Sequence, residues 1–333
     1  MSKHWTGDEL LELARSFQIP CVLNAAAELD VFSAFGDESL TVETLAERLN
    51  ADLRGIRILA DALAAIELLE KEGDAYRPAR GVVDTLSEGG ADSVLAMVRL
   101  SGNCMRGWAQ LGAVTRQGAP LDPKPASVRG AVADHEDFIE AMNDISRRTA
   151  DDLVASIGPP KFEHMLDLGG GPATWTIAML NAMPGARATL FDMPDVIPIA
   201  TRHVAAAGME DRVDFVAGNF ETDESLPGGA DLAWVSAIVH QNSRQQNREL
   251  FAKIHTALAD GGQILIRDVV MDESRTAPQY GALFAVNMLV HTPGGGTFTF
   301  DELAEDLQSV GFTNPNLLNP DEEMNAVVQA RKS

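Results

Sequence analysis

A short apolar run ends in three glycines and reopens at once as a helix: His164-Met165-Leu166-Asp167-Leu168-Gly169-Gly170-Gly171-Pro172-Ala173-Thr174-Trp175. Met165-Leu166 and Leu168 read as a buried strand, and the helical run follows over Thr176–Met183. Glycines permit a tight turn and a close backbone approach to a ligand, and the helix N-terminus behind them offers free N–H groups. A second strand, Ala188–Phe191, ends in Asp192. An acid ~20 residues past such a turn, at the tip of the second strand of a Rossmann-type sheet, suits a ribose diol. The turn reads G-G-G-P-A and not G-x-G-x-x-G, which disfavours a nicotinamide dinucleotide. On the turn alone, a plain strand-to-helix connection is the alternative.

The alternation continues to the end of the chain and predicts an α/β fold built on a parallel, doubly wound, Rossmann-like sheet. Strands are expected at Met165–Leu168, Ala188–Phe191, Val213–Ala217, Leu232–Val235 and Gln263–Val269, with helices at Ile197–Ala207 and Ser243–Ala259. A capping box of Thr299 and Glu302 opens a last helix over Phe300–Ser309. Asn316–Leu318 and Asn325–Ala330 are expected to close the sheet as an antiparallel pair.

The first third reads differently. Asp8–Phe17 and Cys21–Leu29 have helical spacing, Gly36 closes the run that follows, and Thr41 is an N-cap candidate. A helix over Ile56–Leu63 is followed by strand, turn and strand across Leu68–Pro78, which makes a winged helix. A DNA reader of this kind needs a cationic face for phosphates. Here Arg54 and Arg57 stand against Asp52, Asp61 and Glu67, and 26 Lys and Arg against 49 Asp and Glu leave a net charge of -23. Nucleic acid and anionic membrane surfaces are therefore not expected partners. The apolar helices at 8–35 and 94–114 either pack across a two-fold axis or belong to the core. Residues 115–132 form a loop rich in proline and glycine, and a helix resumes over His135–Ile157 with Phe138, Met142, Ile145, Thr149 and Leu153 on one face, ended by Gly158-Pro159-Pro160. That stripe is core or the wall of a cleft. The expected division is 1–115 as a helical, winged-helix dimerisation domain, 116–160 as linker and cleft helix, and 161–333 as the catalytic domain. Two cysteines, Cys21 and Cys104, are too few for a disulfide framework. The opening Met1-Ser2-Lys3-His4-Trp5 is no signal peptide and no apolar run is long enough to span a membrane, so a cytoplasmic setting is expected.

Ligands of such sheets sit outside the carboxyl ends of the strands. These ends supply Gly169–Gly171, Asp192-Met193, Gly218-Asn219-Phe220, Ser236 to His240, and Asp268. An acid for a ribose, an amide for an adenine edge, and an aromatic and a thioether for its faces make a nucleoside pocket. Histidine changes charge near neutral pH, so His240 is a candidate general base, or else a loop histidine without a role. Asp268 either orients it or caps a turn. No His/Cys/Asp cluster has metal-ligand spacing, and no G-x-S-x-G elbow exists for a serine nucleophile.

Leu166–Gly171, Phe191–Ile197, Ala217–Phe220 and Ala257–Gly262, taken in order, resemble the S-adenosylmethionine-dependent small-molecule O-methyltransferases of the caffeate and hydroxyindole type. The N-terminal winged helix resembles that family's dimerisation domain, so the resemblance spans most of the chain and implies a homodimer. It implies S-adenosyl-L-methionine as cofactor, with Asp167, Gly169 and Gly171 at its methionine side, Asp192 on the ribose, Met193 against adenine and Asn219 at the adenine amine. Asn219 replaces the usual Asp, Phe220 a usual Met, and Ser236 a frequent Lys. His240 matches the family's catalytic base and Asp268 an acid beside it. Gln241-Asn242 replaces the usual Asp-Trp, and a second flanking acid expected near Thr297 is absent. Phe138, Met142, Asn287, Met288 and His291 are the expected lining of the substrate pocket. The reaction implied is methyl transfer to a hydroxyl of a small molecule. S-methylation of a thiol or thioether, which needs less or no base, and a non-catalytic ligand-binding member of the fold are the alternatives.

Overall fold

A computed structural model describes residues 3–124, 126–158 and 160–333. Met1-Ser2 of the N-terminal reading, Pro125 of the expected loop and Pro159 of the expected helix break lie outside the described residues. The chain forms two compact units, Met1–Arg106 with Pro125–Asp144, and Gly107–Lys124 with Ile145–Ser333. The boundary therefore differs from the expected 1–115, 116–160 and 161–333: the stretch expected as linker and cleft helix is divided between the units.

In the first unit the helices are α1 (Gly7–Arg15), α2 (Gln18–Glu28), α3 (Val31–Phe35), α4 (Val42–Arg48), α5 (Leu53–Ala65) and α6 (Val82–Leu86), with strands β1 (Leu40–Thr41), β2 (Leu69–Glu72) and β3 (Ala75–Pro78) in the order β1-β3-β2. Caps fix the boundaries. Thr6 and Glu9 form a capping box on α1, the Thr41 hydroxyl accepts from Thr44 N, and the Asp52 carboxylate accepts from Gly55 N. The core gathers Phe32, Phe35, Leu45, Ile56, Leu63 and Tyr76, all at most 3% exposed. α1 buries nothing; its Leu10, Leu11 and Leu13 are 50%, 55% and 57% exposed. The stretch expected as helical at 94–114 is α7 (Leu95–Trp108) and α8 (Leu111–Gln117). The expected helix over 135–157 is α9 (Ala131–Ser146) and α10 (Ala150–Ser156), with a turn at 147–149. Thr149 is the N-cap residue of α10, so it leaves the face of Phe138 and Met142.

The second unit carries a seven-stranded sheet. Its strands are β4 (His164–Leu168), β5 (Arg187–Asp192), β6 (Val213–Ala217), β7 (Ala230–Ser236), β8 (Leu258–Asp268), β11 (Phe312–Asn319) and β12 (Ala326–Lys332); β9 (Val270–Met271) and β10 (Phe298–Thr299) form a separate parallel pair. The order is β11-β12-β8-β7-β4-β5-β6, and β12 alone runs against its neighbours. The helices are α11 (Thr174–Ala182), α12 (Ile197–Ala206), α13 (Arg244–Ala257), α14 (Gln279–His291) and α15 (Phe300–Ser309), the last opened by the Thr299/Glu302 capping box.

The period of two along each strand sorts side chains into two layers. Met165, Trp234 and Leu265 join the core under α10 and α11, whereas Leu166, Leu168, Val235, Ile264 and Ile266 join the core under α13 and α15. Fully burying each such side chain is worth about 1.5–3 kcal/mol. The same alternation places Asp167, Ser236 and Arg267 on the first face and Asp268 on the second. Strand order reverses between β4 and β7, and a sheet of this kind opens its ligand crevice at that point.

Candidate active site

The crevice begins at Gly169, whose N–H donates to Phe191 O at 2.8 Å and whose φ is +67°. A Cβ there would lie 2.6 Å from Ile238 Cδ1, and one at Gly170 would lie 2.6 Å from Leu190 Cγ. The turn is therefore closed against both neighbouring strands, and only glycine fits. Above Gly171 the space is open: a Cβ there would meet nothing within 4 Å. Asp192 ties the turn to the next strand. Its Oδ2 accepts from Gly171 N at 2.7 Å and its Oδ1 from Met193 N at 2.7 Å. Ala173 and Ala237, beside the β4 and β7 ends, take left-handed φ of 66° and 57°. Such backbone costs about 1–2 kcal/mol per residue and gathers at functional sites.

Asp167 points under the turn and is 1% exposed. Burial pushes its carboxyl up to about 7, with the Asp192 charge adding to the rise and the Thr176 hydroxyl bond opposing it. The fold thus favours the protonated acid. Its stabilising effect is complete below the ordinary value near 3.8 and is lost as pH rises through about 7. Urea midpoints of parent and Asp167→Asn at pH 5 and pH 8 test this. The parent is expected to lose stability relative to the variant on going from pH 5 to pH 8, by about 2–3 kcal/mol. Parallel pH profiles for the two proteins would count against it.

The β6 end supplies a second ring of groups. Asn219 Oδ1 accepts from Glu221 N at 2.8 Å, and Asn219 N donates to Asp223 Oδ2 at 2.9 Å. Phe220 packs on the core layer that includes Ile238. Met193 is 42% exposed. Ser236 accepts from Arg267 Nη1 at 3.1 Å. Arg267 is 3% exposed, lies over the Trp175 ring at 4.4 Å and donates to Asn325 Oδ1 at 2.9 Å; burial lowers its guanidinium to about 10.

His240 occupies a single 3-10 turn (Val239–Gln241) after β7. Its Nδ1 lies 2.9 Å and 3.0 Å from the two oxygens of Asp268, whose Oδ1 also accepts from Val269 N at 2.8 Å. A carboxylate only accepts, so Nδ1 carries a hydrogen, and in the neutral ring the lone pair is then on Nε2. Phe284 of α14 meets the imidazole edge-on with ring centres 4.8 Å apart, and Tyr280 stacks on Phe284. The turn itself is pinned by backbone. Gly296 N donates to His240 O at 2.8 Å, Asn247 Nδ2 to Val239 O at 2.9 Å, and the buried Asn242 amide to Asn247 Oδ1 at 3.1 Å.

Thr297, near which a second acid was expected, is a buried threonine whose carbonyl accepts from Arg275. On α14, Asn287 Oδ1 accepts from Trp108 Nε1 at 2.8 Å, Met288 is 6% exposed, and the His291 carbonyl accepts from Lys124 at 3.1 Å. Burial, with the Lys124 charge, lowers the His291 imidazole and favours its neutral form. Phe138 and Met142 lie in the first unit one helical turn apart on α9, Phe138 48% exposed. The structure thus brings Gly169, Gly171, Asp192 and Met193 together, and separately His240 with Asp268. Sequence reasoning missed Thr176, Arg267, Phe284 and the Gly294–Gly296 segment. Of these only the glycine run had a visible signal.

Sheet order, glycine turn and strand-end acid define the class: a Rossmann-like α/β methyltransferase with a separate N-terminal helical unit. The family description "O-methyltransferase domain" matches residues 129–313 and "O-methyltransferase dimerisation domain" residues 11–89. The chain is 32% identical over 311 residues to the tetracenomycin polyketide synthesis 8-O-methyl transferase of Streptomyces glaucescens, covering 92% of this chain and 91% of that one. It is 31% identical over 306 residues to the 3-hydroxy-5-methyl-1-naphthoate 3-O-methyltransferase of Streptomyces sahachiroi, covering 91% and 88%. The crystal structure of human N-acetylserotonin methyltransferase in complex with SAM superposes with a TM-score of 0.80 at 26% identity, covering 100% of this chain and 99% of that one. The chain belongs to the O-methyltransferase family. It is an S-adenosylmethionine-dependent enzyme that methylates a small molecule.

Proposed function

We propose that the chain works as a homodimer and transfers the methyl group to a hydroxyl on an aromatic ring, with His240 Nε2 as general base. The observation that carries this reading is the His240–Asp268 pair. A side chain 12% exposed is held through Nδ1 by a carboxylate 1% exposed, which leaves a lone pair on the other nitrogen. Both bacterial relatives carry names of O-methyltransferases acting on polyketide or naphthoate frameworks, which supports an aromatic hydroxyl.

Bound S-adenosylmethionine would supply an activated methyl group, with its sulfur as the leaving atom. The chain's residues do the rest. His240 Nε2 takes the hydroxyl proton as the oxygen–carbon bond forms, and Asp268 stabilises the resulting imidazolium. Asp192 holds the ribose hydroxyls, and Gly169, Gly171 and Asp167 shape the methionine end. Asn219 meets the adenine edge, Met193 and Phe220 its faces, and Ser236 lies at the cofactor's margin. Asn287, Met288 and His291 of α14 line the acceptor's side. Alignment and exclusion of water supply the remaining rate, because the methyl donor needs no further activation.

The test is a panel of matched phenols, anilines and thiophenols with methyl-labelled cofactor. Label is expected on phenolic oxygen, with product formation dependent on His240. Transfer confined to nitrogen or sulfur, or no transfer to any acceptor, would overturn the hydroxyl assignment. The dimer is checked by light scattering of the full chain, which is expected to give twice 35.7 kDa. The exposed leucines of α1 and the dimerisation-domain match support that expectation.

A further inference from the structure

The β6–β7 connection presents Asn219 and Phe220, and its own bonds leave one side of it open. Within the loop the N–H groups of residues 219, 221, 222 and 223 are satisfied. Thr222 N and Asp223 N donate to Asn219 O at 3.1 Å and 2.8 Å, Glu221 N to Asn219 Oδ1, and Asn219 N to Asp223 Oδ2. The carbonyls of residues 220, 221 and 223 have no such partner inside the loop. They converge on one group, the Lys253 ammonium of α13, which donates to Phe220 O at 2.9 Å, Glu221 O at 3.4 Å and Asp223 O at 2.7 Å. An ammonium has three hydrogens, and all three are committed to this one loop. In a chain of net charge -23, no carboxylate pairs with this lysine among the described residues. A surface lysine with so many acids available would ordinarily pair with one of them. Here its charge-assisted bonds are spent on backbone, and such bonds are about twice as strong as neutral ones.

We propose that Lys253 is a positioning residue for base recognition: through the three carbonyls it holds the 219–223 loop so that the Asn219 amide faces the adenine edge of the cofactor. This rests on the reading of Asn219 as the adenine contact. The chemistry is specific. With one lone pair of Oδ1 given to Glu221 N, the amide retains a second lone pair and two N–H hydrogens. An acceptor and a donor side by side match the amine and ring nitrogen of adenine, as amides do in reading adenine elsewhere. Hypoxanthine presents the reverse pattern, a carbonyl and an N–H. Choice between the two bases therefore reports the orientation of the amide, which overall stability does not.

The experiment compares S-adenosylhomocysteine with its hypoxanthine counterpart by calorimetry on the full-length protein, in parent, Lys253→Met and Lys253→Arg. The parent is expected to prefer the adenine form by roughly tenfold or more, within the range a paired amide provides. Lys253→Met keeps the aliphatic length and loses the donors; it is expected to bind the adenine form more weakly and to bring the preference to within about twofold, the level left when bidentate reading is lost. Its kcat at saturating cofactor is expected to match the parent, because His240 and Asp268 stand on other elements. Lys253→Arg, which still donates to carbonyls, is expected to keep most of the preference. Parental affinity and preference in Lys253→Met would overturn the role of Lys253. Equal binding of both bases by the parent would overturn the Asn219 reading itself, and the proposal with it. Equal losses in the Met and Arg variants with a lowered Tm would assign the lysine to stability alone and would also overturn the proposal.

Discussion

Turnover on a hydroxyl substrate is expected to fall by about 10²–10⁴-fold in His240→Ala, the usual contribution of a positioned general base. Affinity for S-adenosylmethionine is expected to stay near parental, since none of the groups at the β4 and β5 ends contacts the imidazole. The variant is expected to fold. Asp268 keeps the Val269 N–H at 2.8 Å and the backbone N–H of residue 240 at 3.4 Å, so its buried carboxylate is not stranded. Asp268→Asn is expected to slow the reaction less. It weakens the hold on Nδ1 and the stabilisation of the imidazolium while leaving Nε2 in place. Single-turnover rates of parent and both variants check this. A His240→Ala enzyme with parental rate on a phenol would refute the base. A thioether acceptor has no proton to lose, so there the substitution is expected to act on substrate affinity and leave the chemical step unchanged.

The second large effect is expected from a glycine packed against the His240 turn. A Cβ at Gly295 would lie 2.4 Å from His240 O, 2.4 Å from Thr292 Oγ1 and 3.0 Å from Gln241 C. Two of these three are backbone atoms of the His240 turn, so no side-chain rotation relieves the contact. In Gly295→Ala either the 294–296 segment or the His240 turn must move. Both movements strain the Gly296 N–H bond to His240 O, 2.8 Å in the parent. Displacing a catalytic group by about 1 Å costs on the order of 10²-fold. The expected result is a kcat lowered by about that factor, with cofactor affinity close to parental and a Tm lowered by a few degrees at about 1–3 kcal/mol of strain. Calorimetry, thermal unfolding and single-turnover rates together test it. Parental kcat would show that the segment does not set the position of His240.

The departure at Thr297 acquires a physical reading from the same region. With a threonine at 297, the imidazole meets the edge of Phe284 on α14, and the His240 backbone carbonyl accepts from Gly296 N. An apolar ring on that flank excludes water without adding a charge. Orientation of the imidazole thus falls to Asp268 and to the backbone.

Much of the catalytic unit was determined by sequence alone, because its signals are local. Apolar runs of strand length at β4, β5, β6 and β7, the three glycines, and the caps at Thr41 and Thr299 each act within a few residues, where period and side-chain chemistry decide the conformation. The same logic placed Asp192 and Asp268 at strand ends and His240 just past one, because the length of each apolar run fixes where its strand stops. Tertiary structure decided what depends on partners distant in the chain. α14 escaped detection because its residues from Gly281 to Val290 are apolar apart from Asn287, so no single face marks a helix; packing buries Met288 and Val290 and leaves Leu283 52% exposed. The break at 147–149 interrupts a stripe that spacing alone read as continuous. The Gly296 clamp, the Phe284 edge and the three carbonyls on Lys253 join segments that carry no mutual signal in sequence. A hydrogen bond between elements is set by where the folded backbone brings donor and acceptor within about 3 Å, and only the packed sheet and helices fix that.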